Sequence, residues 1–267
     1  MAQCITPGNR TQEYKDYYGK NRTINFPCGK CVSCLKRRAS QWSFRLAQEA
    51  QASSSASFLT LTYQTTPTSE HGFPTLVKKD FQLFMKKLRK KTPLYKLKYY
   101  ACGEYGTKTY RPHYHAIIFN LPHRIISRPD TITNIWGKGH TMITHSNDLT
   151  INYVSGYIMK NNIKPINKWD DRQREFSLMS KKMGLNYLTP QMIQFYKDRE
   201  LTAIQKENGH FISMPRYYKE KIFNKLELKK IYTDLLNHME YVEKEPMRIR
   251  QIIKKHQKDL KSQRLTI

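Results

Sequence analysis

No run of about 18 apolar residues occurs anywhere in the sequence, so a membrane-spanning helix is not expected. The opening stretch MAQCITPGNRTQE has no apolar core and does not read as a secretory signal. A phosphate-cradling GxxxxGK[ST] loop is missing too, and with it any sign that the chain hydrolyses nucleotides itself. There is no internal repeat. Acidic residues are scarce, 21 Asp and Glu against 47 Lys and Arg. Cysteine is limited to five, an odd count with three of them in one short run, which suits reduced thiols in a cytoplasm better than a disulfide framework.

What is present is enough for a folded core. The 267 residues are 39% hydrophobic and 12% aromatic, including 18 Tyr, which argues against disorder. That length permits one large domain or a compact core with extensions. The net charge of +26 draws polyanions and points to nucleic acid before membrane.

Along the chain, residues 1–35 are short of periodicity, and helical spacing begins with Leu35, Ala39, Trp42, Leu46 and Ala50. After a Ser-rich turn, FLTLTYQ at 58–64 alternates as a strand does. A basic helix is predicted over Lys78 to Lys91, with Phe81, Phe84, Met85 and Leu88 on one face and Pro93 just beyond it. Residues 94–105 and RPHYHAIIF at 111–119 read as two strands of a hairpin around GTKTY. A short helix is expected from Asp130 to Trp136, a strand at HTMITHS, and a helix from Asn147 or Asp148 to about 163. This order gives an α+β fold, an antiparallel sheet covered by helices on one face. Beyond about residue 166 the chain reads as polar and helical, its lysine runs either a solvated face or a tail that lies along DNA.

The chemistry centres on the second hairpin strand. His113 and His115 are two residues apart, so they leave the strand on one face, with Tyr114 on the other. Glu104, on the preceding strand, shares their face if it pairs across from either histidine. Two imidazoles and a carboxylate suit Mg²⁺, Mn²⁺ or another divalent ion that must also take a phosphate oxygen. On the helix that follows, Tyr153, Tyr157 and Lys160 fall at i, i+4 and i+7, one face again. A lysine on that stripe fits poorly with pure packing, and cations turn a tyrosine hydroxyl into a usable nucleophile. Near the start, CGKCVSC sets Cys28, Cys31 and Cys34 at doubled CxxC spacing, and Cys4 is the best candidate for a fourth zinc ligand; four reduced cysteines without metal is the other reading. Cys102, inside a strand, reads as a small buried residue.

FLTLTY, RPHYHAIIF and YVSGYIMK, in that order, resemble the three motifs of rolling-circle replication initiators of the HUH endonuclease superfamily, with Tyr114 in the central place of the His-hydrophobic-His motif. PCGKCVSCLKRRASQW, CGEYG, RPHYHAIIF and YVSGYIMK together are similar to replication initiation proteins of Microviridae, the gokushovirus group. The match covers residues 1 to about 165 and extends more weakly through FSLMSKKMGLNY. The resemblance implies His113, His115 and Glu104 as ligands of a divalent metal, and Tyr157, or the pair Tyr153 and Tyr157, as nucleophile with Lys160 assisting. Gly156 stands where some two-tyrosine relatives carry a second lysine.

It implies further a core of five antiparallel strands with helices over 58–165, a Cys-rich and zinc-stapled segment with a basic helix over 1–57, and a basic helical extension over 166–267. The implied activity is nicking of single-stranded origin DNA, leaving a 5′-phosphotyrosine and a free 3′-hydroxyl, followed by rejoining. The setting would be the cytoplasm of an infected bacterial host, with host helicase and DNA polymerase as partners. Two other functions fit the same residues: an HUH transposase or relaxase, and a non-catalytic basic zinc protein whose aromatics stack on bases.

Overall fold

The computed structural model describes residues 4, 11–15, 21–25, 27–156, 165–206 and 209–239. Two compact units emerge, one of Leu35–Ile193 and one of Met1–Cys34 with Gln194–Ile267.

The larger unit is built on a five-stranded antiparallel sheet. Its strands are β3 (Ala56–Thr62), β4 (Lys98–Tyr105), β5 (Pro112–Phe119), β6 (Thr141–His145) and β7 (Phe176–Met179), in the order β6-β3-β5-β4-β7. (The labels β1 and β2 belong to a hairpin of the smaller unit, described below.) Four of these strands fall where alternation predicts them. The fifth, β7, lies in the stretch read as helical. It has only four residues, none fully buried, and exists as a strand because it pairs along the free edge of β4.

The sheet is covered on both faces, not on one. Strand alternation sends Leu59, Leu61, Tyr114, Ala116 and Ile118 to one side, where they pack against α2 (Lys78–Lys91), α3 (His123–Ile126) and α4 (Pro129–Trp136). Helix α2 has the bounds read from its periodicity and buries Phe81, Phe84, Met85 and Leu88, each worth roughly 1.5–3 kcal/mol in water removed from apolar surface. Phe58, Tyr100, Cys102, Ile117 and Phe119 face the other side, under α1 (Val32–Gln51) and α5 (Asp148–Gly156). There α1 contributes the fully buried Leu46, with Trp42 and Ala50 packed beside it. A periodic stripe shows that a helix packs on something but not on which face, and that choice separates α1 from α2.

Local chemistry holds these elements in place. The buried Glu49 carboxylate of α1 accepts from Lys98 Nζ at 2.7 Å and from the Gly184 N–H at 2.8 Å, tying the helix to the start of β4 and to the chain after β7. Helix α5 starts on a reciprocal cap: the Thr150 N–H donates to Asn147 Oδ1 at 2.9 Å, and the Asn147 N–H to Thr150 Oγ1 at 2.8 Å. Gly103, within CGEYG, lies under Phe176; a Cβ there would come within 2.9 Å of that ring.

In the smaller unit, β1 (Thr11–Lys15) and β2 (Asn21–Asn25) form a hairpin in a stretch where the sequence shows no periodicity. The C-terminal helices are present as α6 (Pro190–Asp198), which straddles the unit boundary, α7 (Arg216–Ile222) and α8 (Lys225–Met239). A short hairpin of β8 (Ala203–Gln205) and β9 (Phe211–Ser213) interrupts them. Tyr196, Ile204, Met214, Tyr218, Ile222 and Ile231 are buried there.

Candidate metal centre

Register decides the site. Glu104 pairs directly with His113, and Cys102 with His115, so the carboxylate and both imidazoles leave the sheet on one face. Glu104 Oε1 lies 2.7 Å from His113 Nε2 and 3.2 Å from His115 Nε2. The two rings stand nearly perpendicular, with centroids 5.0 Å apart. All three side chains are largely shielded, His113 the most open at 18%.

The outer nitrogens of both rings are also engaged. His113 Nδ1 donates to the Arg111 carbonyl at 3.0 Å, and His115 Nδ1 lies 3.0 Å from Thr60 Oγ1. This is how metal-binding histidines are commonly oriented, with the far nitrogen tied to a carbonyl or hydroxyl and the near one aimed at the ion. A carbonyl only accepts, so the His113 proton belongs on Nδ1 and a neutral ring turns a lone pair towards the carboxylate. Two acceptors 2.7 Å apart repel unless positive charge lies between them, a second ring proton or a metal cation. Burial acts to raise the Glu104 carboxyl, but hydrogen bonds from His113 and then His115 outweigh it and hold the group at about 2. The donor set therefore fits a divalent ion, with an anionic oxygen and two oriented imidazoles.

Sequence reasoning missed both outer partners. Thr60 carries a faint signal, a hydroxyl within a strand otherwise flanked by buried Leu59 and Leu61. Arg111 carries none, because any residue offers the same carbonyl.

Helix α5 brings Tyr153 to this centre. Its ring stands edge-on to the His115 ring at 5.5 Å and to Phe58 at 6.1 Å, while the residue remains 51% exposed. Tyr157 and Lys160 lie outside the described residues.

The second cluster joins Cys4 to Cys28, Cys31 and Cys34. Cys4 Sγ is 3.5 Å from Cys28 Sγ and 3.7 Å from Cys31 Sγ, far beyond a disulfide bond. A tetrahedron with metal–sulfur bonds of about 2.3 Å has edges of about 3.8 Å, so the spacing suits four thiolates around one ion. The Lys30 and Cys31 N–H groups donate to Cys28 Sγ, which favours a thiolate there. Burial pushes the Cys34 thiol up to about 12, so this ligand gives up its proton only to a metal. Cys102 is buried in β4, apart from the cluster.

Two comparisons bear on what class of protein carries such a site. Residues 56–162, which span the sheet from β3 to β6 and the helix after it, match the family model for replication-associated proteins of the ORF2 type. The chain is also similar to replication-associated protein ORF2 of Spiroplasma virus 4, at 29% identity over 76% of this chain and 70% of that protein. Replication-associated protein ORF4 of Chlamydia phage 1 is 26% identical over 77% of this chain and 56% of its own length. Replication-associated protein VP4 of Bdellovibrio phage phiMH2K is 28% identical over 73% and 66%. These matches support the recognition of a phage rolling-circle initiator made from the ordered motifs. No solved structure matches the chain.

Proposed function

We propose that the chain initiates phage DNA replication as a metal-dependent nickase that cuts single-stranded origin DNA with a tyrosine. The phage relatives support the replication role, exercised in the infected host cell. The observation that carries the chemistry is the Glu104–His113–His115 centre with the Tyr153 ring against His115.

Glu104, His113 and His115 hold the divalent ion, Mg²⁺ or Mn²⁺. When bound, it supplies Lewis-acid charge to a phosphodiester. Tyr157, with Tyr153 one helical turn before it, provides the nucleophile. The phenol gives up its proton, its oxygen bonds to phosphorus, and the bond from phosphorus to the 3′ oxygen breaks. That oxygen takes up a proton and leaves as a free 3′-hydroxyl, while the 5′ phosphate stays on tyrosine. One ester replaces another, so the bond energy is kept for rejoining and no nucleotide is hydrolysed. Lys160 lowers the cost of the phenolate and meets charge growing on the phosphoryl oxygens. The freed 3′ end suits extension by a host polymerase behind a host helicase. Cys4, Cys28, Cys31 and Cys34 hold structural Zn²⁺ that ties the N-terminal segment together.

The experiment is incubation of purified protein with a 5′- and 3′-labelled origin oligonucleotide and Mn²⁺, followed by peptide mapping of any covalent adduct. A 5′-linked adduct on Tyr157 or Tyr153 is expected. Metal-dependent cleavage without an adduct would replace transesterification by hydrolysis and end this proposal.

A further inference from the structure

Helix α2 carries cations in numbers that its own stability does not call for. Lys78 and Lys79 open it, and Lys86, Lys87, Arg89, Lys90 and Lys91 follow, all of them exposed. Lys86 with Lys90 and Lys87 with Lys91 are like charges at i and i+4, which destabilise a helix. The last-turn position of Arg89, Lys90 and Lys91 complements the helix dipole, but Lys78 and Lys79 stand at the end where the dipole disfavours cations. The single acid, Asp80, is engaged by Tyr63 and Lys138. Among the described residues no carboxylate pairs with Lys86, Lys87, Lys90 or Lys91.

The buried face of α2 lies on the sheet side of Tyr114, opposite the side from which His113 and His115 project. The cations therefore point away from the metal centre. They form a rigid row about 21 Å long. The helix exposes no aromatic ring, since Phe81 and Phe84 are buried. Single strands are gripped by stacking on aromatics, whereas a duplex backbone presents one charge per ~1.7 Å and asks only for positioned cations. We infer that the exposed face of α2 is a second DNA contact, binding the phosphate backbone of duplex DNA while the metal face handles the single strand. The inference rests on the proposed function only in taking DNA as the partner.

The test compares native protein with a variant carrying Lys86→Gln, Lys87→Gln, Lys90→Gln and Lys91→Gln, all at exposed positions and all to a good helix former. Binding to a blunt duplex of about 20 base pairs and to an oligo-dT of about 20 nucleotides is measured against salt in EDTA, where no cleavage occurs. Each lost phosphate contact removes about 0.9 from the slope of log K against log salt on a duplex. The slope on duplex should fall by about 2–4, with a smaller change on oligo-dT. A charge-matched control, Lys206→Gln, Lys221→Gln, Lys225→Gln and Lys229→Gln, should leave the duplex slope nearer native.

An unchanged duplex slope in the α2 variant overturns the inference. So does an equal fall with the control, which would mean diffuse attraction, or an equal fall on oligo-dT, which would mean a grip on any backbone. Loss of binding to phosphatidylserine vesicles with duplex binding intact would assign the patch to a membrane surface instead. Should the quadruple variant fail to fold, the two double variants, 86/87 and 90/91, each lowering the slope by about 1–2, replace it. Nicking of a short single-stranded oligonucleotide should persist in the α2 variant, so failure of the nicking chemistry and failure of this surface are read in separate assays.

Discussion

Replacing Glu104 by Gln keeps the shape of the side chain and removes its charge. Oε1 is the atom both histidines converge on, at 2.7 and 3.2 Å, in a carboxylate only 7% exposed. The gap between its ordinary value of 4.5 and about 2 corresponds to preference for the anion on the order of 3 kcal/mol in the metal-free fold. Because the folded value lies below the ordinary one, this contribution is present above about pH 4.5 and is lost as pH falls towards about 2. Chelator-treated Glu104→Gln should therefore unfold at lower denaturant than the native protein near neutral pH, and the difference should shrink through that acidic window. In the metal-bound protein the loss is larger. Outer partners of ligands alone are worth about 10–100-fold in affinity, so removing the anionic ligand itself should cost at least about 100-fold. Isothermal titration with Mn²⁺, and nicking followed on a labelled oligonucleotide, read the two consequences. DNA binding, spread over many lysines, should survive. A variant that takes up Mn²⁺ and nicks at the native rate would refute both the ligand assignment and the electrostatic reasoning behind it.

Thr60→Val deletes the hydroxyl beside His115 Nδ1 at nearly constant volume and should weaken Mn²⁺ binding about 10–100-fold without unfolding the protein; equal affinity would free Thr60 of any orienting role. Tyr157→Phe should abolish first cleavage by several orders of magnitude, while Tyr153→Phe should nick almost normally and fail in strand transfer. An adduct formed by Tyr157→Phe and none by Tyr153→Phe would reverse the two roles. For the cysteines, elemental analysis should find close to one zinc per chain, and Cys31→Ser or a strong chelator should destabilise the N-terminal segment. Less than about half a zinc would count against that site. Zinc affinity should also rise with pH, by at least the one proton that Cys34, held at about 12, releases on binding.

Much of the architecture follows from local patterns. Four strands of the sheet and α2, with both its ends, are visible as periods of 2 and 3.6, because burial of one face repeats along the chain itself. The same period puts His113 and His115 on one side before any partner strand is known. Spacing alone gathers Cys28, Cys31 and Cys34. The +26 charge and the lysines of α2 are equally matters of composition.

Tertiary structure decided what no local period encodes: which strand lies beside which, in what register, and against which face each helix packs. Glu104 became a ligand because β4 pairs with β5 so that it opposes His113; a shift of one residue would have turned it to the other face. Cys4 joins its cluster from 24 residues away through chain closure that spacing does not record. Strand β7 is a strand only because the edge of β4 was open to it. The helices divide between two faces because Leu59 and Phe58, neighbours in sequence, each need cover on opposite sides. Sequence thus set the residue types and their local directions, and long-range pairing, whose energy depends on partners far along the chain, brought a carboxylate, two imidazoles and a tyrosine to one place.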